Sequence, residues 1–195
     1  VGAAVSGGGA NAYNTIDTRT LALIDRSGSD SVAGNPETGK TRITVGKTLT
    51  VQADDAATVR TLAGNVSGSG SGAFGAAIAV NEVGSVVGAS LSGATLGAAV
   101  ATVVDADLRG EIRSVAASGA AAGGTAVNGS FTTNAIGAQV SADVQGLNQT
   151  TAGGAFTVSA DNAANIFSLA GTISGSGSAA AGAAVSVNDI GGGVS

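Results

Sequence analysis

Gly34 to Thr41 reads GNPETGKT and meets the phosphate-loop pattern G-x-x-x-x-G-K-[ST] at each required position. In that chemistry the glycine loop's N–H groups cradle a polyphosphate, the lysine reaches its terminal phosphates and the hydroxyl holds magnesium. The loop works between a buried strand and a helix whose first N–H groups face the anion. Here the preceding RSGSDSVA is polar and turn-rich, and the following TRITVGKTLTV alternates like a strand. Glu37 also sets a carboxylate within the loop. The run VATVVDAD (100–107) ends in an Asp suited to magnesium, but its last four residues belong to a repeat. The flanks favour a solvated loop.

Three aspartates, Asp54, Asp107 and Asp161, occupy one repeat position just past a strand, where a calcium stripe or carbohydrate contacts could form. The Gly-Gly-x-Gly-x-Asp nonapeptides of calcium-binding β-rolls are missing, and Asp is a common turn residue. Asn81, Asn128 and Asn188 follow Val in AVN or SVN units and read as corner residues in the left-handed conformation. Asn65, Asn128 and Asn148 open glycosylation sequons in form. Asp105, Asp107, Arg109, Glu111 and Arg113 form the one dense group of both signs. At i, i+2 spacing on a strand they share one face, which reads as solvated. Without His or Cys, hydrolysis would need paired carboxylates, a Lys or a Ser–Lys pair. The chain reads as a non-enzyme, and no catalytic, cofactor-binding or metal residue is assigned.

The elements that must carry these residues are unusual in composition. The 195 residues include 33 Gly and one Pro, with no Cys, Met, Trp or His and 3% aromatics; Ala, Gly, Val, Ser and Thr dominate. Charged residues are 11% and mean hydropathy is +0.37, unlike the polar, highly charged disordered class. A net charge of −5 argues against nucleic acid, whose phosphates need a basic patch. Val83–Val104 is uncharged and long enough to span a bilayer. Its Gly, Ser and Thr content and its equally uncharged flanks read as buried strands, and one Tyr with four Phe cannot make aromatic girdles. No membrane insertion is expected of this segment. The lack of Met reads as a piece of a longer protein.

Self-similarity organises the chain. TVQADDAATVRTLAGNVSGSGSGAFGAAIAVNEVG from Thr50 aligns without a gap on TVSADNAANIFSLAGTISGSGSAAAGAAVSVNDIG from Thr157, so that Val51 falls on Val158. A weaker copy lies midway: VQADDAATV at Val51, VDADLRGEI at Val104 and VSADNAANI at Val158 begin at almost equal steps. VSAD also occurs at Val140, and its spacing from Val158 suggests three coils of roughly 18 residues per repeat. ITVGKTLTVQA (Ile43–Ala53), AAIAVN and AAVSVN alternate in period two, and no long stretch has helical spacing. Short strands, small residues and a fixed period predict an all-β fold, a parallel β-solenoid of about ten short coils and roughly 50 Å of rod. Residues 1–195 form a single segment with a polar insertion at about Asp25–Lys40, which holds the one Pro.

The repeat order TVSA…I.S.AG…GS…GAAV.VN resembles the repeats of large secreted bacterial surface proteins. These are the filamentous-haemagglutinin-like and leukotoxin-like filamentous adhesins, exported by two-partner secretion or autotransporter routes. The resemblance covers most of the chain outside Asp25–Lys40. It implies a right-handed parallel β-helix in an extracellular or cell-surface stalk or fibre, whose partners are neighbouring repeats of the same chain. Two other roles stand beside it. One is an adhesive module meeting a host or matrix receptor through the insertion or a Ser/Thr-lined face; the other is a subunit that self-associates into filaments, since solenoid ends present unpaired edges.

Overall fold

The computed structural model describes residues 4–25, 41–96, 101–149 and 154–195. Thirteen strands are found among them and no helix: β1 (Val5–Ile24), β2 (Thr41–Ile43), β3 (Thr48–Asp55), β4 (Thr58–Ser69), β5 (Gly72–Ser92), β6 (Ala94–Leu96), β7 (Ala101–Leu108), β8 (Glu111–Ala122), β9 (Thr125–Gln145), β10 (Asn148–Gln149), β11 (Phe156–Asn162), β12 (Asn165–Ser176) and β13 (Ala179–Val194). They stack in four sheets, β1-β5-β9-β13 (sheet A), β2-β6-β10 (sheet B), β3-β7-β11 (sheet C) and β4-β8-β12 (sheet D). Every ladder is parallel and joins a strand to its counterpart one repeat away. The fold is the expected all-β parallel solenoid.

The coil is longer than the sequence suggested. Val51 pairs with Val104 and Val104 with Val158, and side chains bonded across neighbouring coils are accordingly 53 or 54 residues apart. Val140 pairs with Val87 and Val194, not with Val158, so the short VSAD step is not a coil. Fewer than four coils replace the expected ten, and the axis covered is roughly 17 Å instead of about 50 Å at ~4.8 Å per coil. The first step of sheet A is larger, 67 residues, as between Thr18 and Ser85, and it carries Val5 onto Gly72. Thr41 still pairs with Ala94 at the ordinary spacing. The extra residues therefore lie between Ile24 and Thr41, where 26–40 fall outside the described residues.

Each coil is a flattened loop. One long sheet A strand lies across the following sheet C and D strands, and the short sheet B strand turns one edge. Inward side chains alternate with outward ones, as the period-two pattern requires. The interior tapers. At the sheet B and C edge it is filled by Val87, Leu91, Val104, Leu108 and Val140; next come Val59, Val83, Ile112 and Ile136. Farther along, the apolar part of the interior is Ala63, Ala77, Ala79 and Ala116, and at the far edge Ala73, Ala120 and Ala126, interleaved with inward Asn, Ser and Thr. Alanines fill a space this thin without strain, which explains why Leu and Phe are scarce while the core is still closed.

Glycine closes both edges. Gly93 (φ 60°) and Gly146 (φ 62°) turn sheet A into sheet B in successive coils, a left-handed backbone that other residues adopt at a cost. At the thin edge, a Cβ on Gly123 would run into the Gly70 carbonyl oxygen, and one on Gly177 into that of Gly123. In the column Gly70, Gly123 and Gly177 the turns stack backbone on backbone, with no room for a Cβ on Gly123 or Gly177.

Candidate functional site

The asparagines are internal rungs, not corners. Among the described residues no non-glycine has positive φ, and Asn81 and Asn188 face inward from mid-strand. Register aligns them with Asn14 and Asn134, two residues the sequence reading missed because their flanks, AYN and TTN, depart from the AVN and SVN pattern. The four amides form a ladder along the axis. Asn14 Nδ2 donates to Asn81 Oδ1 (2.8 Å), Asn81 Nδ2 to Asn134 Oδ1 (2.7 Å) and Asn134 Nδ2 to Asn188 Oδ1 (2.9 Å). Sheet D supplies hydroxyls opposite: Thr61 Oγ1 takes Asn14 Nδ2 (2.9 Å) and itself donates to Asn81 Oδ1, while Ser168 Oγ accepts from Asn134 Nδ2 (3.0 Å). Buried amides are tolerated because these partners satisfy them.

Asn128 belongs to a second internal seam. Its Nδ2 donates to the Ser118 and Ile173 carbonyls (3.0 and 2.6 Å), and its Oδ1 accepts from Ser174 Oγ (2.7 Å). Asn65 points into the same seam half-buried, so of the three sequons Asn148 alone is exposed. In sheet D every Ser and Thr but Thr58 alternates inward, so that sheet does not present the Ser/Thr-lined face anticipated.

The aspartates align as their repeat position implied: Asp54 pairs with Asp107, and Asp107 with Asp161, along the outer face of sheet C. Yet no group of three or more His, Cys, Asp or Glu among the described residues could hold a metal ion. Asp107 instead pairs with Arg109, and Glu111 with Arg113, both on the surface. The five-residue charged group thus runs along the outside from β7 into β8. Asp105 accepts from Ser159 Oγ (2.5 Å) and Gln52 Nε2 (3.4 Å), links between neighbouring coils. Of the phosphate-loop motif, 34–40 lie outside the described residues; Thr41 starts strand β2, where a phosphate site would need a helix.

What the sequence did not announce is how apolar the outside is. Val66, Ile173 and Leu62 on sheet D are 89%, 80% and 77% exposed. Register makes two ridges of them, Leu62–Val115–Leu169 and Val66–Gly119–Ile173, with the furrow Gly64–Ala117–Gly171 between. The furrow is a shallow groove of about 480 Å³. Sheet A carries a similar cladding of Tyr13, Phe74, Ile78, Val127, Phe131 and Val185. Alternation alone could not say which apolar member of each pair faces out, since both faces are apolar here.

β12 and β13 are the last strands of sheets D and A among the described residues. Sheet A has four strands and sheets B, C and D have three each, so the inward row of β13 lacks the coil half that covers the corresponding rows below it. Ile190 shows the effect: it is 51% exposed, whereas Val83 and Ile136 in the same column are 0% and 1%. Comparison with known proteins returned no matching family model, no similar curated protein and no similar solved structure.

Proposed function

We propose that the chain is a structural module of a secreted or surface-attached bacterial filamentous adhesin, a non-enzymatic segment of an extracellular stalk or fibre. The single observation behind this reading is the in-register stacking of like on like from coil to coil, side-chain amides included. Such a stack extends by adding coils, each of which contacts only its neighbours, so length is set by repeat number. The winding is taken as right-handed, the hand of nearly all crossovers between parallel strands. The stalk reading also accounts for the absence of a convergent polar site among the described residues and for interior positions spent on Asn, Ser and Thr.

Two measurements test it. Tandem arrays of one, two and four copies of the repeat, bounded by the present end coils, should lengthen by about 5 Å per repeat in small-angle scattering. Immunogold labelling of intact source cells should place the parent protein outside the envelope. Label confined to the cytoplasm would end the stalk reading even if the arrays lengthen as expected.

A further inference from the structure

We propose that the outer face of sheet D pairs with the same face of a second copy of this chain, about a two-fold axis that runs along the solenoid. This goes beyond the stalk reading and rests on the fold alone. The outward positions of β4 read Leu62, Gly64, Val66, Gly68, and those of β12 read Leu169, Gly171, Ile173, Gly175, large and small in alternation and in register. Between them β8 carries Val115 outward and after it only Ala and Gly. The furrows are empty. A Cβ on Gly171 or Gly175 would meet nothing within 4 Å, and one on Gly64 or Gly68 only a backbone oxygen at 3.9 Å.

Such a face is complementary to itself in one orientation. A two-fold axis along the solenoid reverses strand direction across the interface and keeps coil against coil. Placed between the Gly64 and Val66 columns, it sets Val66 over the partner's Gly64 and Leu62 over the partner's Gly68. On β12 it sets Ile173 over the partner's Gly171 and Leu169 over the partner's Gly175. Both ridges then enter furrows, a dry interdigitation of the kind that joins paired sheets. An axis along the strands would set each column on itself, ridge against ridge. Charge selects sheet D over the other apolar face. No outward residue is charged from Leu62 to Gly68 or from Leu169 to Gly175, and Arg60 and Arg113 stand at the rim. Sheet A carries Glu82 and Asp189 in one outward column, and self-pairing there would strip both carboxylates of water. Three strands of twelve residues make a face of roughly 41 by 14 Å. Pairing therefore removes about 1,200 Å² from water over the two copies, the lower bound of a specific interface, so the pair is reversible. Each further coil would add about 400 Å².

Sedimentation equilibrium of the full chain, in a concentration series up to about 1 mM, should show reversible association of monomer to dimer. Two variants should each weaken it at least about tenfold while the circular dichroism stays unchanged. One is the pair Val66→Asp, Ile173→Asp; the other is Gly171→Leu, which plugs the furrow where open space admits the side chain. Val127→Asp, on the outer face of sheet A, should leave association as it is. A spin label on Arg113→Cys reads the orientation, since the chain has no cysteine of its own. Strand reversal about a line between the Ala117 and Gly119 columns puts the two labels roughly 35 Å apart in pulsed electron paramagnetic resonance, against about 10 Å if each column met itself. A monomer throughout the series, association untouched by the furrow plug, loss of association with Val127→Asp, or the short label distance would each overturn the proposal.

Discussion

Replacing Asn134 by Ala tests whether the amide ladder holds adjacent coils together. Asn134 is fully buried at the centre of the ladder and uses both ends of its amide. Its Oδ1 takes Asn81 Nδ2, and its Nδ2 serves Asn188 Oδ1 and Ser168 Oγ. Truncation leaves Asn81 Nδ2 buried without its acceptor, a loss of about 1–3 kcal/mol, and removes two further bonds toward β12 and β13 worth ~0.5–1.5 kcal/mol each. The expected total is about 2–6 kcal/mol, a large share of a stability of ~5–15 kcal/mol. For a chain of this size that lowers the melting midpoint by roughly 5–25 °C. Asn188→Ala is the internal control. It is the same substitution on the same ladder at the exposed terminal rung, and it should cost under ~1 kcal/mol. The double variant Asn81→Ala, Asn134→Ala should lose at least ~1 kcal/mol less than the two singles together, because no orphaned Asn81 donor then remains. Urea unfolding followed by far-UV circular dichroism reads all four. Equal losses at Asn134 and Asn188, or simple additivity of the central pair, would refute the ladder as a cooperative element.

Three further outcomes follow from the geometry. Gly123→Ala should destabilise by more than about 2 kcal/mol, since the added carbon meets the Gly70 carbonyl, while Gly171→Ala, with open space around it, should change stability by less than ~1 kcal/mol; thermal melts compare them. The double variant Val66→Asp, Ile173→Asp should keep the melting midpoint to within the effect of ~0.5 kcal/mol per site, yet clearly reduce binding of an apolar dye, because both side chains stand outside the core. Labelled ATP should show no saturable, Lys40-dependent binding in equilibrium dialysis, since Thr41 opens a strand where a phosphate loop needs a helix.

The strand content and the long period were legible because they are written in alternation and self-similarity, which local chemistry enforces. The coil length was not. VSAD at Val140 and at Val158 looks like one position repeated, but Val140 lies in sheet A and Val158 in sheet C. The segment between them runs round the sheet B edge from one side of the core to the other. Val140 packs in one cluster with Val104, the ladder neighbour of Val158, so similar interior demands on opposite walls select similar residues. With so few residue types in use, a tetrapeptide match marks an environment and not a register. The long match of Thr50 onto Thr157 survives because a stretch of that extent samples every environment in turn. The asparagines show the same limit: their polarity suggested a corner, and only the register reveals that they satisfy one another.

On the proposed stalk reading, the taper and the coil length together set the shape of the fibre that such repeats would build. A 21-residue strand spans up to about 70 Å, while facing sheets lie ~10 Å apart and closer where alanine alone separates them. Adding coils therefore extends a tape, thick along the Leu91, Leu96 and Leu108 edge and thin along the Ala73, Ala120 and Ala126 edge. Resistance to bending rises steeply with the dimension that lies in the plane of bending. The tape is consequently stiff edgewise and compliant flatwise, and the compliance is greatest toward the alanine edge. That edge is also where both outer faces are apolar, with Val66 and Ile173 on one side and Phe74 and Val127 on the other. Flatwise bending changes the exposure of these ridges, which are the same columns of side chains that set the thickness of the tape.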